Sequence, residues 1–245
     1  MNAEIEKLVQ ILRDSNNIVF FGGAGVSTES GIPDFRSSKG LFNQKLNMHF
    51  APEELVSHSF FVRHPEEFYD FYKKNLIYTE AKPNGAHLAL AKLEDMGKLK
   101  AIVTQNIDGL HQAAGSKKVF ELHGSVLRNY CMKCHSFYDE SLILDAKGVP
   151  ACSKCGGTIK PDVVLYEESL DQKVIQGAVS AIMKADTLII AGTSLVVYPA
   201  AGLIEYFSGK NLVLINKSST SYDTKADLVI NDAVGKVLKE AVDSL

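Results

Sequence analysis

Asn17-Ile18-Val19-Phe20-Phe21-Gly22-Gly23-Ala24-Gly25 is a short apolar run that ends in glycines. A run of this length, closed by a glycine turn, reads as a strand buried on both faces, as in a parallel sheet. The glycines place backbone N–H groups where a phosphate could sit beside a helix start. Similar runs recur at 101–103, 119–120, 163–165, 188–190, 212–215 and 228–230. Apolar residues at helical spacing mark a first helix through Ile5, Leu8, Val9, Ile11 and Leu12. The same spacing predicts helices over 85–96, 172–183, 198–207 and 234–242. Strands alternating with helices predict an α/β fold, an open and mostly parallel sheet with helices on both faces.

Two stretches break the alternation. Residues 37–80 carry aromatic-rich helical text, including Phe60-Phe61, Phe68-Tyr69 and Phe71-Tyr72. Residues 126–159 hold all four cysteines and little else that would build a core. Cys131-x2-Cys134 and Cys152-x2-Cys155, with seventeen residues between the pairs, leave no cysteine over. Two such knuckles bring four thiolates into a closed tetrahedral shell, which favours a structural zinc ion with no open position for chemistry. Two disulfides, an iron–sulfur cluster or four unrelated buried cysteines are the alternatives. The expected organisation is a sheet domain of 1–36, 81–125 and 160–245, a helical insertion at 37–80 and a zinc-binding insertion at 126–159, stapled by its metal.

Bulk numbers exclude several classes. The chain has 245 residues, 46% hydrophobic and 22% charged, with a net charge of −3. That balance gives no electrostatic case for nucleic acid or an anionic membrane. Residues 187–204 are long and uncharged enough to raise a membrane span, but Gly192-Thr193-Ser194 and Tyr198-Pro199 interrupt them. The N-terminus lacks the charged-then-apolar pattern of a signal peptide. Free thiolates that hold metal point to a reducing, cytoplasmic setting.

Chemistry-bearing residues gather where strands are expected to end. The turn Gly23-x-Gly25 departs from the usual dinucleotide fingerprint, because Thr28 stands where a third small residue is needed. It is followed by Gly31-Ile32-Pro33-Asp34-Phe35-Arg36, which reads either as a capped loop with Phe35 tucked into the core or as a mobile lid over a nucleotide, with Arg36 available to the phosphates or ribose. Further clusters are Gln105-Asn106-Ile107-Asp108, His123-Gly124, Gly192-Thr193-Ser194 and Asn216. Strand C-termini are where open α/β sheets bind ligands.

In this order, together with both cysteine pairs and Lys160-Pro161-Asp162-Val163-Val164-Leu165, these residues resemble the sirtuins, NAD-dependent protein lysine deacylases, in a short bacterial-type form. The resemblance implies a Rossmann-like domain, NAD as co-substrate and one structural zinc. It implies catalytic roles for His123, as the base that activates a ribose hydroxyl, and for Asn106. It places Gly23, Ala24, Gly25, Thr28, Asp34, Phe35 and Arg36 on the cofactor loop. Gln105, Asn106, Ile107 and Asp108 would line the nicotinamide and ribose pocket. Gly192, Thr193, Ser194, Asn216 and Asp232 would lie at the adenosine side. Val163, Val164 and Leu165 would pair with an acylated lysine peptide as an added strand. The implied products are free lysine, nicotinamide and O-acyl-ADP-ribose.

Two departures bear on specificity. Relatives that favour succinyl or malonyl lysine carry Tyr-x-x-Arg, whereas this chain has Tyr69-Asp70-Phe71-Tyr72, which predicts preference for uncharged acyl groups. Asp70 would repel an acidic acyl group if it faced the pocket. Tyr166-Glu167-Glu168 stands where the family often has Phe-Gly-Glu. The rival readings are mono-ADP-ribosyl transfer on the same scaffold, a non-catalytic NAD- and zinc-bearing module, and a conventional dehydrogenase.

Overall fold

A computed structural model describes residues 2–37, 40–41 and 50–245. Residues 38–39 and 42–49 of the expected 37–80 insertion lie outside the described residues. The strands are β1 (Ile18–Gly22), β2 (Leu99–Thr104), β3 (Val119–Glu121), β4 (Gly124–Cys131), β5 (Phe137–Tyr138), β6 (Ile159–Val163), β7 (Thr187–Ala191), β8 (Asn211–Ile215) and β9 (Leu228–Ile230).

Six of them form one sheet in the order β3-β2-β1-β7-β8-β9. Every pairing in it is parallel. All five residues of β1 are buried, which is why its text shows no polar alternation. Successive side chains point to opposite faces. Ile18 and Phe20 join a cluster with Leu8, Leu90 and Leu238, from helices Ala3–Asp14, Gly85–Asp95 and Val234–Asp243. Val19 and Phe21 join a second cluster with Ala178 and Ile182 of helix Gln172–Lys184, and with Leu203. Both phenylalanines are fully buried, and each contributes about 1.5–3 kcal/mol by burial alone. Local signals set the helix starts: the Asp171 side chain accepts from Lys173 and Val174 N–H, and Asn2 accepts from Ile5 N–H.

The strand order places β1 between β2 and β7, so connections leave it in opposite directions. The crevice outside the carboxyl ends of β1 and β7 is the topological switch point, where such sheets bind ligands.

The second sheet is antiparallel, in the order β5-β4-β6. Here the structure corrects the sequence reading. The run at 163–165 does not extend the parallel sheet; β6 ends at Val163 and pairs with β4. Residues 126–159 do build a core: Val126, Cys131, Ile143, Cys152 and Ile159 pack with Phe60, Phe61, Phe68, Tyr69, Phe71 and Tyr72. The two insertions thus share one cluster, in which each buries the other's apolar face. Arg128 ties the two sheets together, with Nη1 2.6 Å from Glu121 of β3 and Nε 2.8 Å from Asp162 of β6. The expected helix over 198–207 is a tighter 3₁₀ run, Ala200–Tyr206. Pro199 precedes it and Gly202 lies within it, which disfavours a regular α-helix. No helix among the described residues is long and apolar enough to cross a membrane.

Candidate active site

The loops after β1 and β7 are in direct contact. Gly23 N–H donates to the Ala191 carbonyl at 3.2 Å, and Gly25 N–H to the Gly192 carbonyl at 2.8 Å. A Cβ on Gly25 would lie 2.7 Å from Gly192 Cα, and Gly192 itself has φ +60°. These glycines are needed for the close approach of two loops. Their two N–H groups are spent within the protein, so the phosphate-cradling role expected of them from the sequence does not fall to Gly23 and Gly25 N–H. Thr28, in the third-glycine position, donates its hydroxyl to the Gly25 carbonyl at 3.0 Å and holds the same turn.

The polar side chains expected at strand ends converge there. Gln105 Nε2 donates to Thr193 Oγ1 at 3.1 Å, joining the loops after β2 and β7. Asn216, after β8, accepts from Thr193 N–H through Oδ1 at 2.9 Å. Its Nδ2 is buried with no hydrogen-bond partner among the described residues. An orphaned donor at a crevice marks a place where a bound group would be satisfied. Asn106 is buried and donates to Ser27 Oγ at 3.0 Å, and Ser27 in turn donates to Asp108 Oδ2 at 2.7 Å. Asp108 also accepts from Leu110 N–H at 2.9 Å, which fixes its carboxylate.

His123 follows β3. Its Nδ1 lies 2.9 Å from the Gln105 carbonyl, which only accepts, so Nδ1 carries the proton and Nε2 is the basic nitrogen of the neutral ring. Burial pushes its pKa below the ordinary imidazole value, and the Gln105 hydrogen bond opposes that shift in part. The neutral, proton-accepting form therefore persists on the acid side of where a free histidine would be half-charged.

Two residues that sequence reasoning passed over help to build the site, and a buried histidine pair lies beside it. Ser27 lies between Gly25 and Thr28 of the glycine loop and bridges Asn106 to Asp108. Asn84 caps helix Gly85–Asp95 and also donates to the Val26 carbonyl at 2.8 Å, pinning the glycine loop. His87 and His111 form a buried edge-to-face pair, 4.8 Å between centroids. Burial lowers His87 to about 4, against the opposing charge of Asp108, and lowers His111 to about 3. The cap motif at Asn84 was readable; the rest depends on contacts between distant segments.

Other expected site residues sit away from this knot. Asp34 caps its own turn, accepting from Arg36 and Ser37 N–H at 3.1 and 2.8 Å. Phe35 packs against the small-sheet cluster, as does Ile107. Arg36 reaches Tyr166 Oη at 3.0 Å. Asp232 pairs with Lys236 at 2.5 Å on the edge beyond β9. Ala24 lies in a 3₁₀ turn of the glycine loop, and Ser194 is exposed. Val163 and Leu165 are buried, while Val164 is partly exposed and donates its N–H to the His123 carbonyl at 3.0 Å.

The family model described as "Sir2 family" matches residues 23–199. The chain belongs to the Sir2 family. An NAD-dependent protein deacetylase of Clostridium perfringens (strain 13 / Type A) is 75% identical over 244 residues, spanning 99% of this chain and 100% of the relative. A solved Sir2 variant with a deacetylated p53 peptide and 3'-O-acetyl ADP ribose superposes with a TM-score of 0.90 at 40% identity, covering 98% of each chain. Sir2 bound to an acetylated peptide gives 0.86 at 39% identity, covering 100% of this chain and 98% of the other.

In this sirtuin the four cysteine sulfurs lie within 4.8 Å of one another. Cys131 to Cys155 is 3.4 Å and Cys134 to Cys152 is 3.6 Å. A tetrahedron with metal–sulfur bonds near ~2.3 Å has edges of about 3.8 Å, so the cluster fits one zinc ion and none of the four is in a disulfide. The two departures from the family also resolve into geometry. Asp70 is 72% exposed and pairs with Lys74, so it does not face a pocket. Tyr69 and Tyr72 are fully buried among phenylalanines, and Tyr69 donates its hydroxyl to the Ile159 carbonyl. Glu167 adopts φ +75°, the left-handed conformation in which a glycine costs nothing. Its carboxylate accepts from Ser59 N–H at 2.8 Å and from the Ser59 hydroxyl at 2.7 Å.

Proposed function

We propose that this chain is a cytoplasmic NAD-dependent protein lysine deacetylase that favours acetyl and other uncharged acyl groups. The observation that carries the reading is His123, held as the Nδ1–H tautomer by the Gln105 carbonyl beside the buried Asn106–Ser27–Asp108 chain. NAD, when bound, would supply an electrophilic ribose carbon with nicotinamide as its leaving group, so that acyl-lysine, NAD and water would give free lysine, nicotinamide and O-acyl-ADP-ribose. The chain's own residues orient and protect that exchange. His123 Nε2 takes a proton from a ribose hydroxyl. Asn106 and Asp108, both fixed by Ser27, hold polar groups in register at the nicotinamide end. Thr193 and Asn216 serve the adenosine end, where the orphaned Asn216 amide fits a ligand acceptor. Asp232, at the outer edge, is a peripheral contact. Phe35 covers the ribose after nicotinamide leaves, which limits attack by water. Arg36 meets the phosphates. Val163, Val164 and Leu165 form the peptide edge. The zinc module and the aromatic helices act as one small lobe beside the sheet domain.

The acyl preference rests on the absence of a guanidinium. Tyr72 occupies the position where an arginine would meet an acyl carboxylate, and it is buried in the aromatic core. Burial raises its pKa far above the ordinary tyrosine value, so no charge arises there.

The test is incubation with NAD and a matched panel of acetyl, propionyl and succinyl peptides, with products identified by mass. Nicotinamide release that requires the acyl group, with O-acyl-ADP-ribose formed, is the expected result. ADP-ribose attached to protein would favour mono-ADP-ribosyl transfer, and reduced cofactor a dehydrogenase. Efficient desuccinylation on the same peptide would overturn the acyl preference.

A further inference from the structure

The four cysteines are not equivalent. Cys131 and Cys152 are buried, whereas Cys134 is exposed and Cys155 partly buried. Within each knuckle, backbone N–H groups face the first sulfur. Those of Lys133 and Cys134 lie 3.4 and 3.5 Å from Cys131 Sγ, and those of Lys154 and Cys155 face Cys152 Sγ. Cys152 has, in addition, a partner from outside its knuckle. Tyr138 Oη lies 3.0 Å from the Cys152 sulfur and 3.0 Å from Ser153 Oγ. The tyrosine comes from β5, which pairs with β4, the strand that ends in Cys131. Its ring packs against the aromatic cluster of the small lobe. The hydroxyl thus ties the hairpin that carries the first knuckle to a ligand of the second.

We propose that the Tyr138 hydroxyl holds Cys152 in place as a zinc ligand by donating a hydrogen bond to its thiolate, and so sets how firmly the protein keeps its metal. The inference rests on the zinc site described above. The direction of the bonds follows from the chemistry of the groups. Metal-bound sulfur is a thiolate and only accepts, so the phenol donates to it, and the Ser153 hydroxyl donates to the phenol oxygen. A zinc ion with four thiolates carries excess negative charge, which a donor beside a buried sulfur offsets. The bond also aims Cys152 at the other three sulfurs independently of the metal, so that a zinc–sulfur bond that opens recloses before the ion leaves. Cys134 stands at the other extreme. It is exposed, with the Ser136 hydroxyl 3.4 Å from its sulfur, and is the ligand that a chelator reaches first. Once Cys134 is displaced, retention falls to the buried ligands, and Tyr138 secures one of them. Tyr138 is a positioning residue in this scheme; it acts through Cys152.

The experiment uses the full chain as purified. Zinc content is measured first, and release is then followed with an excess of a chromogenic chelator. The wild type is expected to carry one zinc ion, held by the four clustered cysteines. Tyr138→Phe, which keeps the ring and the pairing of β5, is expected to release zinc about ten-fold faster, the scale of a missing outer hydrogen bond to a metal ligand. Cobalt in place of zinc gives a readout that looser packing would not move. A hydrogen bond lowers the energy of the sulfur lone pairs, so its loss should shift the sulfur-to-cobalt charge-transfer band of Tyr138→Phe to longer wavelength. Zinc release at the wild-type rate would overturn the proposal. Faster release with the cobalt band unmoved would overturn it too, because the phenylalanine would then act by loosening the lobe and not through the bond to Cys152. Wild-type protein that holds no zinc and takes up no cobalt would remove the metal site itself, and the role of Tyr138 with it.

Discussion

The two sheets of this protein are stabilised in different ways. The six-stranded sheet is covered by apolar residues on both faces, with Ile18 and Phe20 packed one way and Val19 and Phe21 the other. The three-stranded sheet is covered by aromatic helices but leaves Tyr130 and Phe137 exposed, as an edge-to-face ring pair. Burial on both faces gives the large sheet stability to spare. It can then carry glycine turns and buried polar groups at its strand ends, which is where the candidate chemistry lies. The small sheet has half that cover and draws on four thiolates. Support and chemistry are thus divided between the two regions, and metal belongs to the first of these tasks.

Removing zinc should break the comparison most visibly. Structural zinc contributes on the order of 10 kcal/mol to folding in small metal-dependent modules. A zinc chelator, or Cys131→Ser, is expected to expose the amides of β4, β5 and β6 to hydrogen exchange while β1, β2, β7 and β8 stay protected. Activity should be lost with them, because the peptide edge follows β6. Uniform exchange across both sheets would show that the zinc supports the whole chain and that the division is wrong.

His123→Ala tests the other half of the division. Loss of a general base is expected to lower kcat by about 10²–10⁴-fold. Zinc content, circular dichroism and melting temperature should be unchanged, since the ring is held by a single hydrogen bond to the Gln105 carbonyl. Deacylation near the wild-type rate would remove His123 from the reaction. In the wild type the acid limb of kcat/KM, which reports the free enzyme, should fall below the ordinary histidine value of about 6.5, because burial lowers this group and the neutral form is the active one.

Acid should reach the large sheet through His87 and His111. Both are neutral in the fold, lowered by burial to about 4 and about 3. In the unfolded chain they take up protons near pH ~6.5. Between those limits the unfolded state binds more protons, so stability is full above about pH 6.5 and declines as the pH falls through that window. Melting temperature should drop from pH 7.5 to pH 5, and His111→Phe, which removes one of the two protonation sites, should flatten the slope. A melting temperature unchanged over that range would mean the pair is not held neutral by burial.

The same division explains what could be read from the sequence. β1 was legible because all its residues are buried, so its text is apolar without interruption. The strand-end clusters were legible because a parallel sheet brings its carboxyl ends to one side. β4 and β6 were not, because half-covered strands carry Arg128, Asn129, Lys160, Pro161 and Asp162 among their apolar residues. A register shift between Ser125 and Asn129 breaks the alternation of β4 as well. The union of the two insertions into one core was invisible for another reason. It depends on contacts such as Tyr69 to Ile159, which no local pattern encodes. Ser27 and the His87–His111 pair were missed on the same ground, since their partners are far away in sequence.

The smallest effect belongs to Glu167, where the small sheet meets the peptide edge. The left-handed backbone disfavours a side chain, while the carboxylate caps the start of helix His58–Arg63 through Ser59. The two terms oppose each other and can be separated by substitution. Glu167→Ala keeps the strained backbone and loses the cap, so it should lower the melting temperature by a few degrees. Glu167→Gly loses the cap but relieves the strain, so it should lie between alanine and wild type, closer to wild type. Glycine less stable than alanine would mean that the left-handed strain is not felt. Alanine equal to wild type would mean that the cap contributes nothing.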